Sequence, residues 1–199
     1  MKRDELNILA KEYYSVMDIS DEQKNNREED AWELFDLFML LFSYFDEAKE
    51  SEVDDYSFIL PTFMNDFQDV LKGITVIDDF LLSYLATIAL AIYTVTLAHV
   101  NDQYYLSEDR AVNLALNESN SINNYTDLRD AKENGYLYKK WHTEMDDRVR
   151  PTHAVMEGTT IPIDAIFVVG DSLMEMPHDI THGASAEEIS NCRCWLEYV

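Results

Sequence analysis

Residues 27–51, REEDAWELFDLFMLLFSYFDEAKES, lead with acidic positions into a dense apolar centre. Trp32, Phe35, Phe38, Met39, Phe42 and Phe45 recur at steps of three and four, the period of one helix face. Leu34, Leu37, Leu40 and Leu41 fill much of the remaining circumference, so the pattern predicts a helix buried on most sides. Pro61, in FILPTFM, is expected to break or kink the segment that follows. Residues 80–101 then run without a charged side chain, long enough to raise the question of a membrane span. Ser83, Thr87, Thr94, Thr96 and His99 interrupt the run, and the flanking charges are Asp78, Asp79 and Asp102, with no basic cluster to orient it. The expectation is a central helix of a helical bundle, not a membrane segment.

Ser107 is placed to cap a further helix, with Glu108 and Asp109 in its first turn. A second short helix is expected over 126–135, opening at Thr126 or Asp127 and stopping at Asn134-Gly135. Four of the five glycines fall after residue 134, and the pattern shortens there. YLYKKWHTEM reads as a strand, RPTHAVMEG as one or two helical turns from Pro151 to Gly158, and TTIPI and AIFVV as strands. Gly170-Asp171 is a turn signal that would fold SLMEM back as a hairpin. ASAEEIS reads as a short helix or turn, and NCRCWLEYV as a last strand. The expected class is α+β: a helical bundle region over residues 1–131, then a small mixed module over residues 132–199.

Composition changes this picture in two ways. An apolar share of 47% supports a packed core, and a net charge of −24 restricts the partners. Residues 1–131 hold nine basic and 27 acidic side chains, and residues 132–199 hold six and 12. Such a surface repels a phosphate backbone and gives no attraction to anionic lipid, so neither direct nucleic-acid binding nor membrane association is expected. It suits a basic partner surface, or serves solubility alone. The opening MKRDELNILAKEYY lacks the apolar core of a signal peptide, and the thiols are expected to be reduced.

The chain's two cysteines stand one residue apart, at Cys192 and Cys194. In an extended strand both would point to one face, with their β-carbons too far apart for an unstrained disulfide. A metal bridges such a pair more easily, and zinc takes four ligands from Cys, His and carboxylate. His142, His153, His178 and His182 lie in the same region, with Asp146, Asp164 and Asp179 available. The alternatives are two thiols buried as small apolar side chains, or a nucleophile activated by Arg193 and a histidine. Arg148 and Arg150 flank Val149 and would share a strand face. Pairing with Asp146, Asp147 or other carboxylates is expected, against the alternative of an anion site with His153 as acid/base.

These motifs together resemble those of the phage Mu F-like minor head proteins, the phage head-morphogenesis family. The resemblance rests on Lys139 or Lys140 with Trp141, Asp146 or Asp147 with Arg148 and Arg150, His153 with Gly158, and Pro162 with Asp164. It continues through Phe167, Pro177 with Asp179, and the closing Asn191, Cys192, Arg193 and Cys194. Arg110, Asn117 and Glu118 match the helix leading into that module, so the likeness spans about residues 107–199. It implies a minor structural protein of the head of a tailed double-stranded DNA phage or prophage, found in the virion and host cytoplasm, with portal, scaffold or other head proteins as partners. The shared His and Cys-x-Cys strengthen the case for zinc, with His153, Cys192, Cys194 and Asp164 as the candidate ligands. The competing function is a nuclease- or transferase-like enzyme built on the His/Arg/Cys cluster, and no complete catalytic set is visible to support it.

Overall fold

A computed structural model describes residues 3–53 and 55–199, without the side chain of Arg3. The class is α+β, as expected. The helices are α1 (Arg3–Ser15), α2 (Asp21–Glu50), α3 (Ile59–Ile74), α4 (Asp79–Ala98), α5 (Glu108–Glu133) and the short α6 (Pro151–Ala154) and α7 (Ala186–Ile189). The strands are β1 (Tyr138–His142), β2 (Thr160–Pro162), β3 (Phe167–Val169), β4 (Ser172–Met174) and β5 (Trp195–Tyr198). By compactness the chain divides into two units, each assembled from separate stretches. The first holds residues 1–6 and 29–115, the second residues 7–28 and 116–199. The borders between these units fall inside α1, α2 and α5.

The first unit is helical. Phe38 of α2 meets Phe63 and Phe67 of α3 at ring-centroid distances of 6.3 and 6.1 Å, and Phe45 meets Tyr56 and Tyr93. Pro61 does not kink a helix. It sits in the first turn of α3, where its missing N–H has no partner to lose. Asp78 caps α4 by accepting from the Leu81 N–H at 2.9 Å. α4 is not a central helix: Leu81, Tyr84, Leu85, Ala89, Ile92 and Thr96 make one buried stripe, while Leu82, Leu90 and Val95 are exposed. Among the described residues it is the one helix long and apolar enough to cross a membrane, and a third of its most apolar window is buried.

The second unit carries the small sheet. β1 is central, with β2 and β5 antiparallel on either side, and β3 and β4 form a separate hairpin. Gly170 takes the turn of that hairpin with φ +58°. α2 begins at residue 21, ahead of its apolar pattern, because Ser20 and Gln23 form a capping box: the Gln23 N–H donates to Ser20 Oγ and the Ser20 N–H donates to Gln23 Oε1. α5 is a single helix through Thr126 and Asp127, where a new start was expected. Asp127 instead accepts from the Arg27 guanidinium at 3.0 Å. The stop at Gly135 holds, with Tyr136 N–H to the Ala131 carbonyl and Gly135 N–H to the Lys132 carbonyl, the paired bonds of a Schellman motif.

Candidate metal centre

The Asn191–Cys194 segment is not part of a strand. It turns between α7 and β5, and Asn191 adopts a left-handed φ of 53°, which asparagine tolerates better than most residues. Three asparagines of α5, at the helical spacing 117, 120 and 124, hold this turn. Asn117 Oδ1 accepts from the Asn191 N–H at 2.9 Å. Asn120 Nδ2 donates to the Cys192 and Cys194 carbonyls at 3.3 and 3.5 Å, and Asn124 Nδ2 to the Cys194 carbonyl at 3.3 Å. Buried Arg27 of α2 fixes the asparagines from behind, donating to Asn120 Oδ1 and Asn124 Oδ1. Between Glu118 and Asn124, five further residues include only one apolar side chain, Ile122, yet the whole run is buried.

The turn brings both thiols to one imidazole. His153 Nδ1 lies 3.3 Å from Cys194 Sγ and 3.5 Å from Cys192 Sγ, and all three side chains are buried. The donor atoms lie within 4.8 Å of one another, so this His/Cys/Cys group can hold a metal ion. His153 Nε2 faces away, 2.9 Å from Glu188 Oε2, which also accepts from Thr152 Oγ1. A carboxylate on the far nitrogen orients a metal-binding imidazole and raises its basicity. The Cys194 N–H points at Cys192 Sγ at 3.5 Å. Trp141 packs edge-on against His153, with ring centroids 5.8 Å apart, and against Phe167.

The electrostatics favour one thiolate in the pair. Burial pushes the Cys192 thiol up, but hydrogen bonding with Cys194, the charge of His178 and a hydrogen bond with His153 hold it well below the usual thiol range. Cys194 is pushed well up, first by its hydrogen bond to Cys192 and then by burial. Burial pulls His153 down, but its hydrogen bond to Cys192 and the Cys192 and Glu188 charges leave it raised.

Arg193 points from the turn toward Asp146, donating through Nη2 to both carboxylate oxygens at 2.7 and 2.6 Å. That hydrogen bond holds the Asp146 carboxyl below the usual range. Arg148 also pairs with Asp146, and Arg150 donates to the Ser190 carbonyl. The two arginines lie in a loop, without the strand face expected of them; only Arg148 takes Asp146 as its carboxylate, and Asp147 is exposed. Asp179 is fully buried and organises the neighbouring loop, accepting from the Glu175 and Thr181 N–H groups and pairing with His182. It thereby places His178, whose Nε2 lies 2.6 Å from the Cys192 carbonyl. Asp164 stands apart: its carboxylate is largely exposed, 3.5 Å from Lys132 Nζ. The group therefore brings together His153, Cys192 and Cys194 without Asp164.

Glu144 was not anticipated. It lines a small cavity, about 10 Å³, together with His153, Cys192, Cys194, Arg148, Arg150 and Arg193. Among the described residues its buried Oε1 has no hydrogen-bond partner, and burial raises its carboxyl to about 7.

The family model for phage Mu protein F-like proteins matches residues 92–197, more than half of the chain. The chain belongs to this family. The match covers α5, the sheet and the whole His/Cys/Cys group, and it begins earlier than the motifs alone indicated. Membership in this Mu F-like family fits a phage head-related protein that interacts with other head proteins in the virion. Neither a search of the curated proteins nor one of the solved structures gave a match.

Proposed function

We propose that this Mu F-like chain is a minor structural protein of the head of a tailed double-stranded DNA phage or prophage. It assembles in the host cytoplasm with the portal or scaffold and stays in the virion head. The observation that carries this reading is the family match over residues 92–197. In this reading zinc held by His153, Cys192 and Cys194 staples the second unit, supplying folding energy to a small sheet. The enzyme alternative is poorly served by the same geometry: a cavity of about 10 Å³ beside the thiols leaves no room for a nucleotide or sugar phosphate. The charge of −24 favours a protein partner with a basic surface over nucleic acid.

The test is co-expression with the portal protein of the same phage. Co-purification at fixed stoichiometry, and the chain's presence in purified particles, is the expected result. A chain that is absent from particles and has no affinity for portal, scaffold or other head proteins would sink the proposal. Metal content of the chain purified without chelator tests the staple separately, with one zinc per chain expected.

A further inference from the structure

We propose that Glu144 is the fourth ligand of this centre, completing a set of two thiolates, one imidazole and one carboxylate that takes Zn²⁺. The proposal rests on the staple reading above and adds to it the identity of the closing ligand. Zinc in structural sites takes four ligands in a tetrahedron, and three are already gathered. The fourth must come from a side chain that reaches the same space and is not committed elsewhere.

Glu144 is placed to supply it: its carboxylate lies outside the group of donor atoms that stand within 4.8 Å of one another, and a turn of its side chain closes the set. It lines the cavity that His153, Cys192 and Cys194 share, and that cavity has room for an atom-sized guest only. Its Oε1 is buried with no hydrogen-bond donor among the described residues. A buried carboxylate oxygen in that state is costly, and a bound ion is one of the few arrangements that relieve it. The other carboxylates and imidazoles nearby are engaged. Asp146 gives both oxygens to Arg193, and Glu188 Oε2 holds His153 Nε2. His178 Nε2 is against the Cys192 carbonyl, and His178 does not line the cavity. Asp164 pairs with Lys132 at the surface.

The charge balance agrees. Two thiolates and a carboxylate around a divalent cation leave one net negative charge, and Arg148, Arg150 and Arg193 line the same cavity. Thiolates with one imidazole and one carboxylate suit zinc in preference to magnesium or calcium, which require oxygen ligands.

The experiment uses the full-length chain stripped of metal and titrated with Zn²⁺ against a chromophoric chelator, and in parallel with Co²⁺ as a spectroscopic stand-in. The wild type is expected to bind one equivalent and, with cobalt, to show thiolate charge-transfer absorption and the intense visible bands of four-coordination. Glu144→Gln should weaken zinc by about tenfold or more and change the visible bands while keeping the charge-transfer absorption. Glu144→Asp, which keeps a carboxylate, should retain more of the affinity and guards against a folding defect in the amide variant. Asp164→Asn should change nothing. Wild-type zinc affinity and an unchanged cobalt spectrum in Glu144→Gln would overturn the assignment of Glu144 and leave the three-residue staple standing. A wild type that binds neither metal would overturn the staple, and this proposal with it.

Discussion

Asn120 is a single amide that meets the Cys192 and Cys194 carbonyls with its nitrogen and the Arg27 guanidinium with its oxygen, all of them buried. Replacing it with alanine takes the acceptor from the buried Arg27 Nε, at a cost of about 1–3 kcal/mol, while the Cys192 and Cys194 carbonyls keep His178 and Asn124. Urea unfolding of Asn120→Ala against wild type checks this, and an effect below a few tenths of a kcal/mol would mean the asparagine ladder is incidental. Lys139 is the second informative residue. It is fully buried, donates from Nζ to the Glu175 carbonyl at 2.7 Å, and lies over the Phe167 ring. Burial lowers its pKa to about 8 from an ordinary 10.5. Between those values the unfolded chain holds a proton that the folded chain has released, so folding stability from this group rises with pH across the window. The rise is at most about 3 kcal/mol. Lys139→Met should remove that slope; denaturant midpoints of both proteins between pH 7.5 and 10 would show it, and parallel profiles would refute it.

Among the elements, α5 shows most clearly what hydrophobic periodicity misses. Its buried face through residues 118–124 is built largely from Glu, Ser and Asn, so its polar composition reads as solvated or as a break between two helices. The helix continues because those side chains bond to Arg27 and to the cysteine turn, contacts made by segments far away in the chain. The capping box at Ser20 and Gln23 was visible as an S-x-x-Q spacing, and it marks the true start of α2. The β3–β4 hairpin makes a testable link to the site. A Cβ on Gly170 would come within 2.8 Å of Glu188 Oε1 and 3.0 Å of Thr152 Cγ2, at a backbone φ that favours glycine. Gly170→Ala is expected to lose about 1 kcal/mol or more, and to weaken metal binding by displacing the carboxylate that orients His153. Thermal melts and zinc titration read the two effects separately; an unperturbed melt would mean the hairpin shifts freely.

For the molecule as a whole, two compact units predict two separable stabilities. Trp32 lies in the first unit, and Trp141 and Trp195 lie in the second. Under the zinc staple, chelator should shift the unfolding reported by Trp141 and Trp195 to lower denaturant while Trp32, followed in single-tryptophan variants, keeps its midpoint. A common shift for all three would show that the units unfold together. The sequence by itself determined most of the helical and strand segments, the glycine stop of α5 and the α+β class, which follow from local spacing and capping. Its likeness to the Mu F-like motifs set His153, Cys192 and Cys194 among the candidate ligands, with Asp164. Only the tertiary structure decided that Asp164 stands at the surface, that Glu144 lines the cavity beside the thiols, that Asp146 rather than Asp147 receives Arg193, and that polar residues fill the buried face of α5. The reason is physical: a carboxylate's role depends on which cation or cavity the fold sets beside it, and spacing along the chain carries no record of that neighbour.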